Sequence, residues 1–273
     1  MRLFLHSLAP LLVGACKGEV AFECPATPVE GAEKVLSPGT VLLLGEMHGT
    51  EQAPDVAGRL ACQAAAAGHS VALGLEMPAD IQDALARSVT TPGPAAANEL
   101  MAHAFWLRED QDGRSSGAML ALVLRAGEWH RNGADISLFA FDMGRGEPGV
   151  RDQGMAERVT REAERMQEGV VIGLVGNIHP RRGPFAAEGL DFTPMGAHLD
   201  ALGSRLLALN VAYSGGTAWA CYSGEGCRNK LLRGTDRGSG QFIELFPEPD
   251  RRGFHGSYYV GAITASGPAL QRR

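Results

Sequence analysis

The chain has 273 residues, 45% of them hydrophobic, enough to bury a full core as one large domain or two small ones. A formal charge of −6 and a sequence pI near 5.8 leave no basic face for nucleic acid, so no nucleic-acid partner is expected. The 36 glycines set against 6% aromatics suit a turn-rich α/β protein better than an all-β one.

In chain order, MRLFLHSLAPLLVGAC carries Arg2, an apolar run over residues 3–13 and small residues before Cys16. That layout resembles a lipoprotein signal peptide over 1–16, with 12–16 as the lipobox. It predicts an exported chain of the periplasm or cell envelope that meets the membrane only through a lipid anchor on Cys16. Residues 17–39 hold Pro25, Pro28 and Pro38 and show no period, so they read as a linker ahead of a single α/β domain over 40–273. Cys24, Cys62, Cys221 and Cys227 remain once Cys16 is set aside, and sequence alone allows three pairings. The flexible Tyr-Ser-Gly-Glu-Gly between them favours a Cys221–Cys227 bridge, with Cys24–Cys62 as its companion. No CxxC pair supports a zinc site.

Apolar runs at 41–45, 71–75, 136–141 and 170–175 predict strands. Stretches 51–67, 79–89, 95–107, 115–131 and 151–168 predict helices between and around them. In the clearest of these, Ser115 or Ser116 caps a helix whose Met119, Leu120, Val123 and Leu124 fall at helical spacing. A helix at 195–202 and strands at 206–211, 217–222 and 257–264 follow. Such alternation predicts βαβ units: an α/β fold with a mainly parallel sheet flanked by helices and late antiparallel edge strands. Apolar runs without alternation fit strands buried on both faces.

Each of the four early strands ends in a polar group. VLLLGEMH delivers Glu46 and His48, VALGLEMP delivers Glu76, SLFAFDMG delivers Asp142, and VIGLVGNIHP delivers Asn177 and His179. Ligands bind at that edge in open α/β sheets, so the residues are expected to share one crevice. A histidine steered by a carboxylate there can take a proton from water, while the second histidine or Asn177 steadies the developing oxyanion. Alternatively, His48 and His179 with one or two of Glu46, Glu76 and Asp142 hold a divalent metal that activates water. No GxSxG elbow points to a nucleophilic serine.

GEMHGTEQ, a helix and then GLEMP resemble the superfamily that joins erythromycin esterase-like hydrolases, ChaN-type haem-binding lipoproteins and Tiki proteins. The family pattern falls here on Gly45, Glu46, His48, Glu76 and His179. Arg151-Asp152-Gln153-Gly154-Met155-Ala156 is similar to a family segment that opens a helix beside the site. The GExH spacing is the shorter, ChaN-like form, and no insertion of the kind that closes over a macrolide is visible. The resemblance implies hydrolysis of an ester or related bond in a small-molecule substrate. In that reading His48 is the general base, Glu46 or Glu76 orients it, His179 serves the departing group, and Asp142, Arg151 and Asn177 bind substrate. The alternative it implies is an envelope carrier of haem or iron that acts as a homodimer without catalysis. The cofactor is left open between a divalent metal, haem and none.

Overall fold

The computed structural model describes residues 22–270 except 110, 145, 188–189 and 223–225, so the signal peptide and Cys16 lie outside the described residues. In chain order the elements are β1 (Val41–Glu46), α1 (Gln52–Ala66), β2 (Val71–Pro78), α2 (Gln82–Thr90), α3 (Pro94–Met101), α4 (Ala104–Leu107) and α5 (Gly117–Arg131). Then come β3 (Ile136–Asp142), α6 (Pro148–Met166), β4 (Val170–Gly176), the hairpin β5 (Phe185–Ala187) and β6 (Leu190–Phe192), and α7 (Met195–His198). The rest is β7 (Leu206–Ala212), β8 (Gly215–Tyr222), β9 (Gly226–Arg233), β10 (Phe242–Leu245), β11 (Gly256–Tyr259) and β12 (Ala262–Ile263).

Seven strands form the main sheet in the order β10-β11-β7-β1-β4-β2-β3, parallel except for β10. The fold is α/β, as the strand–helix alternation predicts. β1 shows why its sequence is apolar throughout: Leu42 and Leu44 enter one core layer, while Val41 and Leu43 enter the other. The first layer is closed by α1 and α5. Ala53, Val56, Ala57, Leu60, Ala61 and Ala64 make a buried stripe on α1 at helical spacing. On the other face α6 buries Met155, Ala156, Val159 and Ala163. α5 starts where Ser116 Oγ accepts from Met119 N at 3.3 Å, an N-cap that fixes the preceding loop at the carboxyl edge of the sheet.

The expected linker is ordered over its described part. Val29 and Val35 are buried in the core, Glu30 pairs with Phe242, and Cys24 is bonded to Cys62 on α1. Short apolar contributions spaced by prolines carry no period, so only the tertiary partners reveal them. The helix expected over 95–107 breaks at His103, whose ring caps α4 by accepting from Phe105 N at 3.2 Å. The helix expected over 195–202 is α7, which gives way to a 3-10 turn over Asp200–Arg205. Among the late strands, β7 joins the parallel sheet beside β1, and β10 alone runs antiparallel at its edge. The strand expected over 257–264 is split between two sheets as β11 and β12, with Gly261 at φ 77° in the break. β8 leaves the main sheet for a three-stranded one, order β12-β8-β9, and is clipped to β9 by the Cys221–Cys227 disulfide. Both expected disulfides are present, which places the folded chain in an oxidising, exported setting.

Candidate active site

Glu46 closes β1, Asp142 closes β3, and Glu76 lies near the end of β2, so their carboxylates meet at the carboxyl edge of the sheet. β4 lies between β1 and β2. Its last residue, Gly176, decides what can cross there. A Cβ at Gly176 would sit 2.8 Å from His48 Nε2. Because none is present, His48 reaches over the end of β4 and links carboxylates from two strands that are not neighbours. Its Nδ1 lies 2.8 Å from Glu46 Oε1 and its Nε2 lies 3.3 Å from Glu76 Oε2.

Glu76 is the hub. It is 3% exposed and accepts from Arg151 Nη2 at 2.6 Å, Arg114 Nη1 at 3.3 Å and the backbone N–H of Gly176 at 2.7 Å. Burial alone would raise its pKa, but the charge and hydrogen bond of His48, with the Arg114 guanidinium, hold it well below the usual carboxylate range. Burial alone would lower the pKa of His48. The charges of Glu76 and Glu46 and their hydrogen bonds outweigh this and raise it to about 10. With a carboxylate on each ring nitrogen, His48 is placed to donate from both, an arrangement that favours its protonated form.

His179 has the opposite arrangement. Its Nδ1 lies 2.8 Å from Asp152 Oδ1, and its Nε2 lies 3.1 Å from Arg151 Nη1. A guanidinium only donates, so these partners assign the tautomer: Nδ1–H faces Asp152 and Nε2 accepts. Asp152 is fully buried on α6, and the same Oδ1 also accepts from Met195 N at 2.7 Å. One carboxylate oxygen thus orients the ring and holds the start of α7. Glu76 Oε1, at 3.8 Å from His179 Nε2, lies between the two histidines.

Two arginines complete the floor. Arg151 Nε donates to Asp142 Oδ1 at 2.7 Å, and Arg114 Nη1 donates to Asp142 Oδ2 at 2.8 Å. Arg114 is held from behind by Asp112, which in turn pairs with Arg108. The Arg114 loop comes this close to His48 because two glycines touch. A Cβ at Gly113 would meet Gly49 N at 2.0 Å, and Gly49 itself has φ 74°. The backbone of β8 closes the other side, with Trp219 N donating to Gly49 O at 2.9 Å and Trp219 Nε1 to Gln111 O at 2.9 Å.

All seven residues expected from strand ends and motifs, Glu46, His48, Glu76, Asp142, Arg151, Asn177 and His179, line one cleft of about 750 Å³. No local pattern assigns Arg114, Arg108 and Asp112 to the floor. Their loop lies far along the chain from any strand end. Asp152 is visible only as the neighbour of Arg151. A divalent metal does not fit this donor set. Both oxygens of Glu76 and of Asp142 already face guanidinium or imidazolium groups, and among the described residues no group of three or more His, Cys, Asp or Glu is placed to hold a metal ion. For haem, both nitrogens of His48 and of His179 are engaged in the cleft and Tyr258 is buried, its hydroxyl donating to Gly45 O at 3.1 Å, while Tyr222 lines the cleft half-exposed.

The class defined by this geometry is an α/β protein with a polar cleft at the carboxyl edge of a mainly parallel sheet. No protein-family model matches the chain, and no curated protein matches it. Solved structures do. A succinoglycan biosynthesis protein superposes with a TM-score of 0.62 over 86% of this chain and 91% of its own, at 9% identity. A mutant erythromycin esterase in its open conformation superposes with a TM-score of 0.63 over 87% of this chain and 94% of its own, at 11% identity. ChaN of Campylobacter jejuni, solved with cofacial haem, reaches 0.40 over 67% of this chain and 84% of its own at 12% identity, too slight a likeness to bear on function. The chain shares its α/β fold with these solved structures, and at these identities the likeness establishes the fold alone.

Proposed function

We propose that the chain is a hydrolase of an ester or related bond, acting on a small molecule by general acid–base chemistry. The observation that carries this is the pair of histidines with opposite hydrogen-bonding states, joined through Glu76: His48 donates from both nitrogens while His179 keeps an accepting Nε2. An acid and a base held on either side of one cleft are what hydrolysis requires. His179 Nε2 takes a proton from the attacking water as Arg151 Nη1 turns from it to the developing oxyanion, with Asp152 holding the ring in the productive tautomer. His48 gives a proton to the departing oxygen, and Arg114 and Arg151 present positive charge to the oxyanion. Glu46, Asp142 and Asn177 position these groups or the substrate. The erythromycin esterase among the structural neighbours is consistent with such chemistry on this fold. A haem or iron carrier, the alternative, gains no support from a site whose histidines are both engaged. Export to the periplasm or envelope with a lipid on Cys16 belongs to the same proposal.

The test is a panel of chromogenic esters with wild type, His179→Asn and His48→Asn. Each substitution should lower kcat by 10²–10⁴-fold with the fold retained by circular dichroism. Full activity in either variant would contradict its assigned role, and a Soret band in protein produced with haem would favour the carrier.

A further inference from the structure

The loop after β4 carries Arg181 and Arg182, and a second pair, Arg251 and Arg252, stands in the turn before β11. The fold brings the two pairs together. The backbone N–H groups of Arg182 and Gly183 both donate to Arg252 O, at 3.0 and 3.4 Å. Gly253, with φ 82°, permits that approach, since a Cβ there would sit 2.5 Å from Arg182 Cβ. Four arginines thus meet on a chain whose formal charge is −6.

Like charges gathered this closely repel one another, so their counter-charges decide what the patch can do. Arg182 Nε donates to Asp200 Oδ1 at 2.7 Å, and Arg252 Nε lies 3.6 Å from Asp250 Oδ2. Asp250 Oδ1 is spent on the backbone N–H groups of Arg252 and Phe254, at 2.8 and 3.0 Å. Among the described residues neither Arg181 nor Arg251 forms an ion pair, which leaves two guanidinium charges without a partner. Burial first, and then the charge of Arg252, hold the Arg181 pKa below its ordinary value. Both loops are held in place. Phe254 is fully buried and anchors the second. In the first, Arg181 Nε donates to Asn177 O at 3.4 Å, and its guanidinium lies 5.1 Å from the centre of the Phe185 ring. Among the described residues its two Nη groups have no hydrogen-bond partner.

We propose that Arg181, Arg182, Arg251 and Arg252 form a binding site for a dianionic phosphate group, outside the cleft. Two unpaired positive charges are neutralised by a phosphate dianion and not by a single carboxylate, and planar guanidinium forks match phosphate oxygens. None of the four arginines lines the cleft, so the site stands independently of the hydrolase reading. A soluble phosphate ester and a lipid headgroup both present such a group, and the experiment separates them.

The whole protein is titrated with inorganic phosphate by calorimetry, at a mildly alkaline pH where the dianion dominates and at fixed ionic strength, with acetate as the monoanion control. Phosphate should bind saturably at one site, and acetate should not. Arg181→Gln and Arg251→Gln should each weaken phosphate binding about tenfold, because each removes a charge-assisted bond. Arg251 is exposed and carries no ion pair, so its variant keeps the fold even if the Arg181 variant does not. Arg161→Gln, which removes the same charge from an exposed position on α6, should leave the affinity within about twofold of wild type, because salt screens so distant a charge. The second arm uses phosphatidylcholine vesicles containing phosphatidic acid. Retention that Arg251→Gln abolishes supports the site and assigns the phosphate to a lipid headgroup, while phosphate binding without retention supports it and assigns a soluble phosphate ester. A wild type that does not bind phosphate, or that binds acetate as tightly, would overturn the proposal. Equal weakening by Arg161→Gln would also overturn it, in favour of a diffuse positive field.

Discussion

Replacing Glu76 by Gln changes one atom's chemistry at the point where most of the cleft's hydrogen bonds converge. The amide keeps the shape and one acceptor oxygen, so part of the bonding from Arg151, Arg114 and Gly176 N survives. What is lost is the negative charge. Arg151 and Arg114 still have Asp142, and His48 still has Glu46, but the amide nitrogen now turns a donor towards either Gly176 N–H or a cation. Breaking a buried ion pair from one side costs about 3–5 kcal/mol, and the surviving partners put Glu76→Gln near the lower end, at about 3 kcal/mol. Against a total stability of about 5–15 kcal/mol, that is a large shift in the guanidinium midpoint at unchanged slope. The same change removes the largest charge that raises His48, so the His48 pKa, about 10 in the intact site, should move towards 6.5. Denaturant unfolding of wild type and variant at pH 7, together with an NMR titration of His48, reads both effects. A midpoint within about 1 kcal/mol of wild type and an unmoved His48 titration would refute the view of Glu76 as the hub.

Further outcomes follow from the same geometry. The raised pKa of His48 contributes stability that is complete below 6.5, declines as pH rises and is gone at about 10, so unfolding free energy followed from pH 7 to 10 should fall steadily. The lowered pKa of Glu76 acts in the opposite sense, contributing above the ordinary glutamate value of 4.5 and fading only as pH falls far into the acid range. Turnover should also drop above about pH 10, where His48 loses the proton it donates; a profile still rising there would contradict its role. Gly176→Ala places a methyl 2.8 Å from His48 Nε2 and should abolish turnover with little change in secondary structure, since the clash is with a side chain at the strand end. Removing the Cys24–Cys62 bridge by a double Ser substitution opens a loop of sequence separation 38 and should cost about 4 kcal/mol of stability. A thermal midpoint unchanged in that variant would mean the segment around Val29 and Val35 holds without the bond.

Much of the architecture is legible in the chain because it is local. Four apolar runs without alternation announce doubly covered parallel strands, and β1 to β4 follow within a residue or three of their predicted ends. The polar residues that end them mark the cleft, because a strand's direction alone fixes which edge its last side chain reaches. Strand order is another matter. That β4 inserts between β1 and β2 depends on crossovers no local pattern encodes, and it is this order that makes Gly176 the doorway between Glu46 and Glu76. The pair of carboxylates on His48 is illegible in the chain for the same reason. In sequence His48 has one carboxylate two residues away, and only the fold supplies the second from residue 76. Arg114 joins the floor through a contact of Gly113 with Gly49, two glycines that are indistinguishable in sequence from ordinary turn residues.

The most direct test of the central claim is the nitrogen chemical shift of the two histidines, read by long-range proton–nitrogen NMR at pH 8 on the whole protein. The account predicts a doubly protonated ring for His48 and, for His179, a proton on Nδ1 with a bare Nε2. A neutral His48 beside a doubly protonated His179 would reverse the acid and the base, and with them the mechanism.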